Sequence, residues 1–137
     1  MSRIVPQLKH DHAELKAILE PVRQHGIGTQ EGRRTLLAAR TLFIDHIRRE
    51  DEEFYPDYRR LARQDPLRAA TADQFSHEMV ALGAQILGFF DKYREGGSGM
   101  EFALDFGRMS ALLQSRWHKE EAILYARYEE LAARKAA

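Results

Sequence analysis

The chain has 137 residues, a length that fits one compact domain with a core of its own. Its 21 basic and 21 acidic residues give a formal net charge of zero, so no electrostatic argument favours nucleic acid or an anionic membrane as a partner. The absence of cysteine excludes disulfides, thiolate metal ligands and a cysteine nucleophile. No signal peptide is evident, and no apolar run reaches the roughly 20 residues of a transmembrane helix. We therefore expect a soluble cytoplasmic protein.

Apolar residues recur at helical spacing along nearly the whole chain, and breaker residues divide it into four predicted helices. The first helix starts near Pro6 and ends near Gly26, and Pro21 is expected to kink or weaken its end. The second helix follows Thr29, a predicted N-cap, and continues until Pro56 interrupts it, with a short helical continuation beyond.

The third helix begins where Asp65 caps and Pro66 opens the first turn, and it runs to the glycine-rich loop EGGSGM. The last helix extends from about Met100 to about Arg134. Four helices of this length, joined by short loops, predict an all-α, up-down-up-down four-helix bundle in which residues 1–137 form a single domain.

Two segments 70 residues apart resemble each other: DHIRREDEEFYPDYRRLA at 45–62 and SRWHKEEAILYARYEELA at 115–132. With this shift a glutamate, two tyrosines, a leucine and an alanine coincide. The match indicates two similar helical hairpins, and a general likeness between amphipathic helices is the alternative explanation. His46 of the first segment, however, corresponds to Arg116 of the second.

Each predicted helix carries ionisable residues within the apolar stripe that should face the core. Burying unpaired charges costs several kcal/mol, so such a group is stable only if its members satisfy one another or bind a cation. Imidazole and carboxylate groups together suit iron, zinc or manganese. At each single position the alternative is a hydrogen-bonded core histidine or a solvated i,i+4 pair. The residues are His12 in the first helix, His46 and Glu50 in the second, His77 in the third, and Arg116 and Glu120 in the fourth.

These residues fall in four segments, one in each predicted helix: LKHDHAELKAIL, HIRREDEEFYP, FSHEMVALG and HKEEAILYARYEEL. In this order the segments resemble the hemerythrin-like HHE cation-binding domain family, over nearly the whole chain. The second segment is the most specific, because its histidine, glutamate, aromatic pair and proline have the family's offsets. The family pattern is a histidine followed by HxxxE, twice. It implies metal ligands at His12, His46, Glu50, His77 and Glu120, with the glutamates bridging two non-haem iron ions.

The sequence departs from the family pattern at Arg116, where the last HxxxE motif would begin with histidine. It also has Ala81 four residues after His77, where animal hemerythrins carry another histidine. A guanidinium has no lone pair for a metal ion. We expect Arg116 either to pair with Glu50 or Glu120, or to extend past the site with its head in solvent. One metal ion, or a weak second site, is therefore expected.

The resemblance implies a protein that binds one or two non-haem iron ions, with zinc or manganese as alternative metals. It also implies a small-molecule ligand such as dioxygen, with the protein acting as carrier, store or sensor; a sensor would need a protein partner. The same ligands would serve a non-haem iron redox enzyme or a protein that repairs nitric-oxide-damaged iron centres. A metal-free structural bundle is the third interpretation. Binding without turnover is the interpretation that we favour.

Overall fold

The computed structural model describes residues 3–97 and 99–136. Four long helices account for most of these residues: α1 is Ile4–His25, α2 covers residues 30–61, α3 is Pro66–Lys92 and α4 covers residues 99–136. No strand occurs in this part of the chain. The predicted all-α four-helix bundle is therefore confirmed. None of the helices in the described ranges is long and apolar enough to cross a membrane.

The helix ends carry the caps that the sequence predicted. Gly26 has φ 69°, a left-handed conformation that favours glycine, and its N–H closes the last turn of α1 at 2.7 Å. The Thr29 hydroxyl accepts the Gly32 N–H at 3.0 Å at the start of α2. The Asp65 carboxylate accepts the Arg68 N–H at 3.2 Å at the start of α3. These caps satisfy backbone groups that would otherwise lack partners.

Internal prolines do not end their helices. α1 continues past Pro21, and α2 continues past Pro56. In α2, the residues just before the proline, Glu50–Phe54, form a π-helical turn in which the Tyr55 N–H bonds to a carbonyl five residues back. The local backbone therefore departs from the i−4 register in which a proline ring clashes with a carbonyl. The interruption expected at Pro56 therefore takes the form of a π-helical turn and not of a helix end, and the expected short continuation is present as Tyr55–Leu61.

A second π-helical turn lies at the corresponding position of α4. It spans Glu120–Leu124, and the Tyr125 N–H bonds to the Glu120 carbonyl. The turn begins 70 residues after its counterpart at Glu50, the same offset as the sequence repeat. It contains no proline, so proline is not what creates it. Matching irregularities of this kind support a structural repeat over a chance likeness between helices, and π turns are frequent at functional sites.

Two apolar cores occupy the two ends of the bundle. One core is rich in aromatic residues and includes Phe54 and Tyr128, whose ring centroids are 5.1 Å apart. The other contains the aliphatic and aromatic residues of the opposite helix ends. Between the cores lies a layer of buried polar side chains, here called the polar layer: His12, His46, Glu50, Arg116 and Glu120.

α3 faces the core with a stripe that does not contain His77. Phe75 and Met79 are buried, whereas His77, Val80 and Ala84 are exposed, Val80 by 74%. Apolar residues occupy much of the circumference of α3, so periodicity alone does not select one face. The larger side chains bury more apolar surface and take the interior. The prediction that His77 points toward the bundle axis is therefore wrong.

Candidate metal centre

Two buried histidines direct Nε2 into the polar layer and Nδ1 toward a carboxylate outside it. His12 Nδ1 lies 2.7 Å from Glu121 Oε2, and His46 Nδ1 lies 2.9 Å from Asp11 Oδ2. A carboxylate acceptor keeps the proton of the imidazole on Nδ1 and leaves Nε2 to act as a metal ligand. Both rings are thus oriented for coordination through Nε2.

The two Nε2 atoms meet two carboxylates that are each only 1% exposed. His12 Nε2 is 3.0 Å from Glu120 Oε1, and His46 Nε2 is 3.3 Å from Glu50 Oε1. The contact of His46 Nε2 with Glu50 is an ion pair whose geometry is not that of a hydrogen bond. This buried nitrogen therefore has no hydrogen-bond partner among the described residues. Ligand atoms of His12, His46 and Glu120 lie within 4.8 Å of one another. One cation placed among them would contact all three.

The hydroxyl of Tyr125 points into the same space. It lies 3.3 Å from Glu50 Oε2, 3.4 Å from Glu120 Oε1 and 3.4 Å from His12 Nε2. A phenol has one proton to donate, so it satisfies one of these acceptors at a time. Burial and the charges of the two glutamates raise the pKa of Tyr125 far above its ordinary value, so it acts as a neutral donor.

The ionisable groups of the metal-free layer hold protons unequally. Burial, together with the charge of Glu120, raises the pKa of Glu50 to about 7. Burial alone would raise the pKa of Glu120 too, but its hydrogen bond with His12 and the positive charges of His46 and Arg116 lower it. Burial would lower the pKa of His46, yet its contacts with Asp11 and Glu50 raise it to about 10. A metal ion bound here would displace these protons.

Arg116 lies inside the bundle, with 6% of its surface exposed. Its Nε donates to Glu120 Oε2 at 3.1 Å, and its other nitrogens reach the Phe75 carbonyl at 2.7 Å and Glu78 Oε1 at 3.4 Å. The guanidinium carbon also lies 4.7 Å from the Phe75 ring centroid, within range of a cation–π contact. The expected pair with Glu120 is present. The alternative with the arginine head in solvent is wrong.

The structure brings four of the five residues implied as ligands into one layer: His12, His46, Glu50 and Glu120. It leaves His77 exposed on α3, so His77 cannot reach this layer from its present rotation about the helix axis.

Sequence reasoning did not identify Asp11, Glu121 and Tyr125 as residues of the site. Asp11 and Glu121 each adjoin a layer residue in the chain, yet lie off the inward stripe, and contact a histidine of another helix. Tyr125 looks like an ordinary core aromatic in the sequence. For Asp11 and Glu121, the only feature of the sequence that could have indicated a role in the site is their position next to a proposed ligand.

Comparison with known families agrees with this geometry. A family model described as the hemerythrin HHE cation binding domain matches residues 3–128, nearly the whole chain. No curated protein and no solved structure gives a significant match. The matched range contains the polar layer, both π turns and the carboxylates that orient the histidines. The chain therefore belongs to the hemerythrin HHE cation-binding domain family.

Proposed function

We propose that this protein holds iron between His12, His46, Glu50 and Glu120, and that it binds dioxygen or a related small molecule at that centre. The observation that carries the proposal is the buried His46 Nε2, which faces Glu50 without a hydrogen bond. His12 Nε2 and an oxygen of Glu120 lie close to it, and these ligand atoms are all within 4.8 Å of one another. A cation bound among them would contact all three.

The chemistry of the four side chains suits a transition metal. Imidazole nitrogens bind iron, zinc and copper. Imidazoles combined with carboxylates form a ligand set found with non-haem iron. Glu121 and Asp11 fix the tautomers of His12 and His46, as outer carboxylates do at metal sites. Iron would supply a redox-active centre that accepts a small ligand. These features favour a metal site over a merely structural network.

The chain's own residues define the surroundings of a small ligand. The Tyr125 hydroxyl is a neutral hydrogen-bond donor that already faces the centre. Phe54 and Leu124, both fully buried, belong to the aromatic core directly below the layer and exclude water from that side. Such a dry setting with one donor favours binding of a small diatomic molecule over binding of a large substrate.

Metal analysis tests the proposal. Protein purified from iron-supplemented cells should contain bound iron, and His46→Gln should lose most of it. His10→Gln is the matched control, because His10 is 61% exposed and pairs with Glu14 at the surface. Equal iron in both variants would place the metal elsewhere.

Exposure of the reduced, iron-loaded protein to dioxygen should change its visible spectrum, and removal of the gas should reverse the change. Sustained consumption of peroxide or nitric oxide with an added reductant would instead favour the enzyme interpretation.

A further inference from the structure

The internal repeat extends from α2 and α4 to α1 and α3. The buried stripes of α1 and α3 have the same spacing, with an offset of 67 residues. In this correspondence His12 of α1 matches Met79 of α3, which is also buried. The matched buried residues are Val5 with Ala72, Leu8 with Phe75, His12 with Met79, Leu19 with Ile86, and Val22 with Phe89.

The carboxylates outside the polar layer follow the same repeat. Asp11 and Glu78 correspond at the offset of 67. Asp11 lies 2.9 Å from the His46 ring, and Glu78 lies 3.4 Å from the Arg116 guanidinium. Arg116 therefore takes the place of His46 in its contacts as well as in the sequence repeat.

The polar layer thus consists of two half-sites with different chemistry. The first half-site has two imidazoles and a glutamate, from His12, His46 and Glu50. The second half-site, defined as Met79, Arg116 and Glu120, has a thioether, a guanidinium and a glutamate. A guanidinium has no lone pair to give, and a thioether prefers soft metals such as copper(I). Only Glu120 of the second half-site offers a ligand suited to iron.

We infer that the Arg116 guanidinium is a built-in cation that replaces a second metal ion, so that the centre takes a single ion beside a permanent positive charge. The inference rests on the proposed function and specifies the number of ions. Arg116 Nε already donates to Glu120 Oε2, leaving Oε1 directed toward His12. Glu120 therefore faces the protein's own charge with one oxygen and the metal position with the other.

The arrangement is fixed, and its charges favour one ion over two. Arg116 is held by Glu120, Glu78 and the Phe75 carbonyl. The carboxylates of Glu50 and Glu120 together carry two negative charges. One divalent ion and the guanidinium already give three positive charges. Glu78, outside the layer, is already paired with the guanidinium. A second divalent ion would lie beside that guanidinium, so like-charge repulsion in the buried layer disfavours it.

Counting bound iron tests this inference. Chelator-stripped proteins are loaded anaerobically with ferrous iron, desalted and analysed for metal and protein. We expect one iron per chain in the wild type and two in the Met79→His/Arg116→His double variant, which restores both imidazoles. Each single variant should stay near one, because it restores only half of the missing ligands.

The outcomes separate this inference from the proposed function. Two tightly held ions in the wild type would overturn the role of Arg116 while leaving iron binding intact. One ion in a well-folded double variant would also overturn it. No iron in the wild type would refute the proposed function itself.

A second measurement does not depend on building a new site. Arg116→Gln removes the positive charge but keeps a hydrogen-bond donor near Glu120. It should raise the affinity for the single ferrous ion by roughly tenfold or more, because like-charge repulsion inside the layer is lost. Arg40→Gln is the control, since Arg40 pairs with Asp91 away from the layer. An affinity that is unchanged or lower in Arg116→Gln, with helix content retained, would contradict the inference.

Discussion

Trp117 stacks on His12, with ring centroids 5.3 Å apart and an interplanar angle of 22°. Trp117 is the only tryptophan of the chain. The ring that directs Nε2 toward Glu120 is therefore in contact with the single tryptophan fluorophore. The proposed metal position and a natural fluorescent probe are therefore adjacent.

We predict that ferrous iron quenches the fluorescence of Trp117 as it binds. An open-shell ion on His12 provides an efficient route for deactivating a ring stacked against that ligand. Titration of the chelator-stripped protein should give a saturable loss of emission at the same stoichiometry as metal analysis. Zinc, with its closed shell, should bind with much less quenching. Iron shown to be bound without any change in emission would remove His12 from the ligand set.

The second prediction concerns Glu121, which contacts His12 Nδ1 at 2.7 Å. Glu121→Gln should weaken iron binding by about 10- to 100-fold, because the partner that fixes the tautomer of a ligating histidine contributes that much to metal affinity. Glu52→Gln, an exposed change in the same type of π turn, should leave affinity intact and alter stability by less than about 0.5 kcal/mol. Equal affinities in the two variants would show that the contact seen here does not orient the ligand.

The sequence was sufficient to predict the fold and most of the polar layer, because the helix-capping residues and the apolar stripes indicated the same helices. Thr29, Asp65 and Gly26 mark helix ends through local backbone chemistry that does not depend on the rest of the fold. His12 and His46 interrupt stripes that are otherwise clearly apolar on one side. Where a helix has one apolar face, the register follows from the sequence.

The errors arose where a local pattern is ambiguous. α3 has apolar residues on several faces, and only packing against the other helices selects Met79 over His77 for the interior. The π turn before Pro56 adds one residue to a turn, which simple 3.6-residue periodicity does not anticipate. Contacts between helices, such as Asp11 with His46, depend on helix rotation and lie beyond a single-helix pattern.

The third prediction is a pH dependence of the metal-free protein. In the folded state the pKa of His46 is about 10, whereas an unfolded histidine has a pKa of about 6.5. Between these values the folded state binds more protons than the unfolded state, so the free energy of unfolding falls as pH rises. Glu50, with a raised pKa of about 7, acts in the same direction at lower pH.

Denaturant unfolding at several pH values between 6.5 and 10 measures this slope in chelator-stripped protein. Stability should be greatest near the lower end and decline toward pH 10. His46→Gln should flatten the dependence, whereas His10→Gln, at an exposed position, should preserve it. A wild-type protein that gains stability across this interval would contradict the proton balance described for the layer.

The last prediction separates the role of Glu50 in folding from its role in metal binding. Below pH 7, Glu50 of the metal-free protein is mostly protonated, since burial and the charge of Glu120 raise its pKa to about 7. Glutamine resembles a neutral carboxylic acid in shape, so Glu50→Gln should change the unfolding temperature of the metal-free protein little at pH 6.5. Metal binding needs the anionic form, so the same variant should lose the stabilisation that iron gives the wild type. That stabilisation follows mass action and reaches about 2.7 kcal/mol when free metal is about 100-fold above Kd.

Thermal unfolding of both proteins, with and without ferrous iron under anaerobic conditions, gives the comparison. Glu52→Gln is the control and should respond like wild type. An equal metal-dependent rise in Glu50→Gln would show that iron is held without this carboxylate.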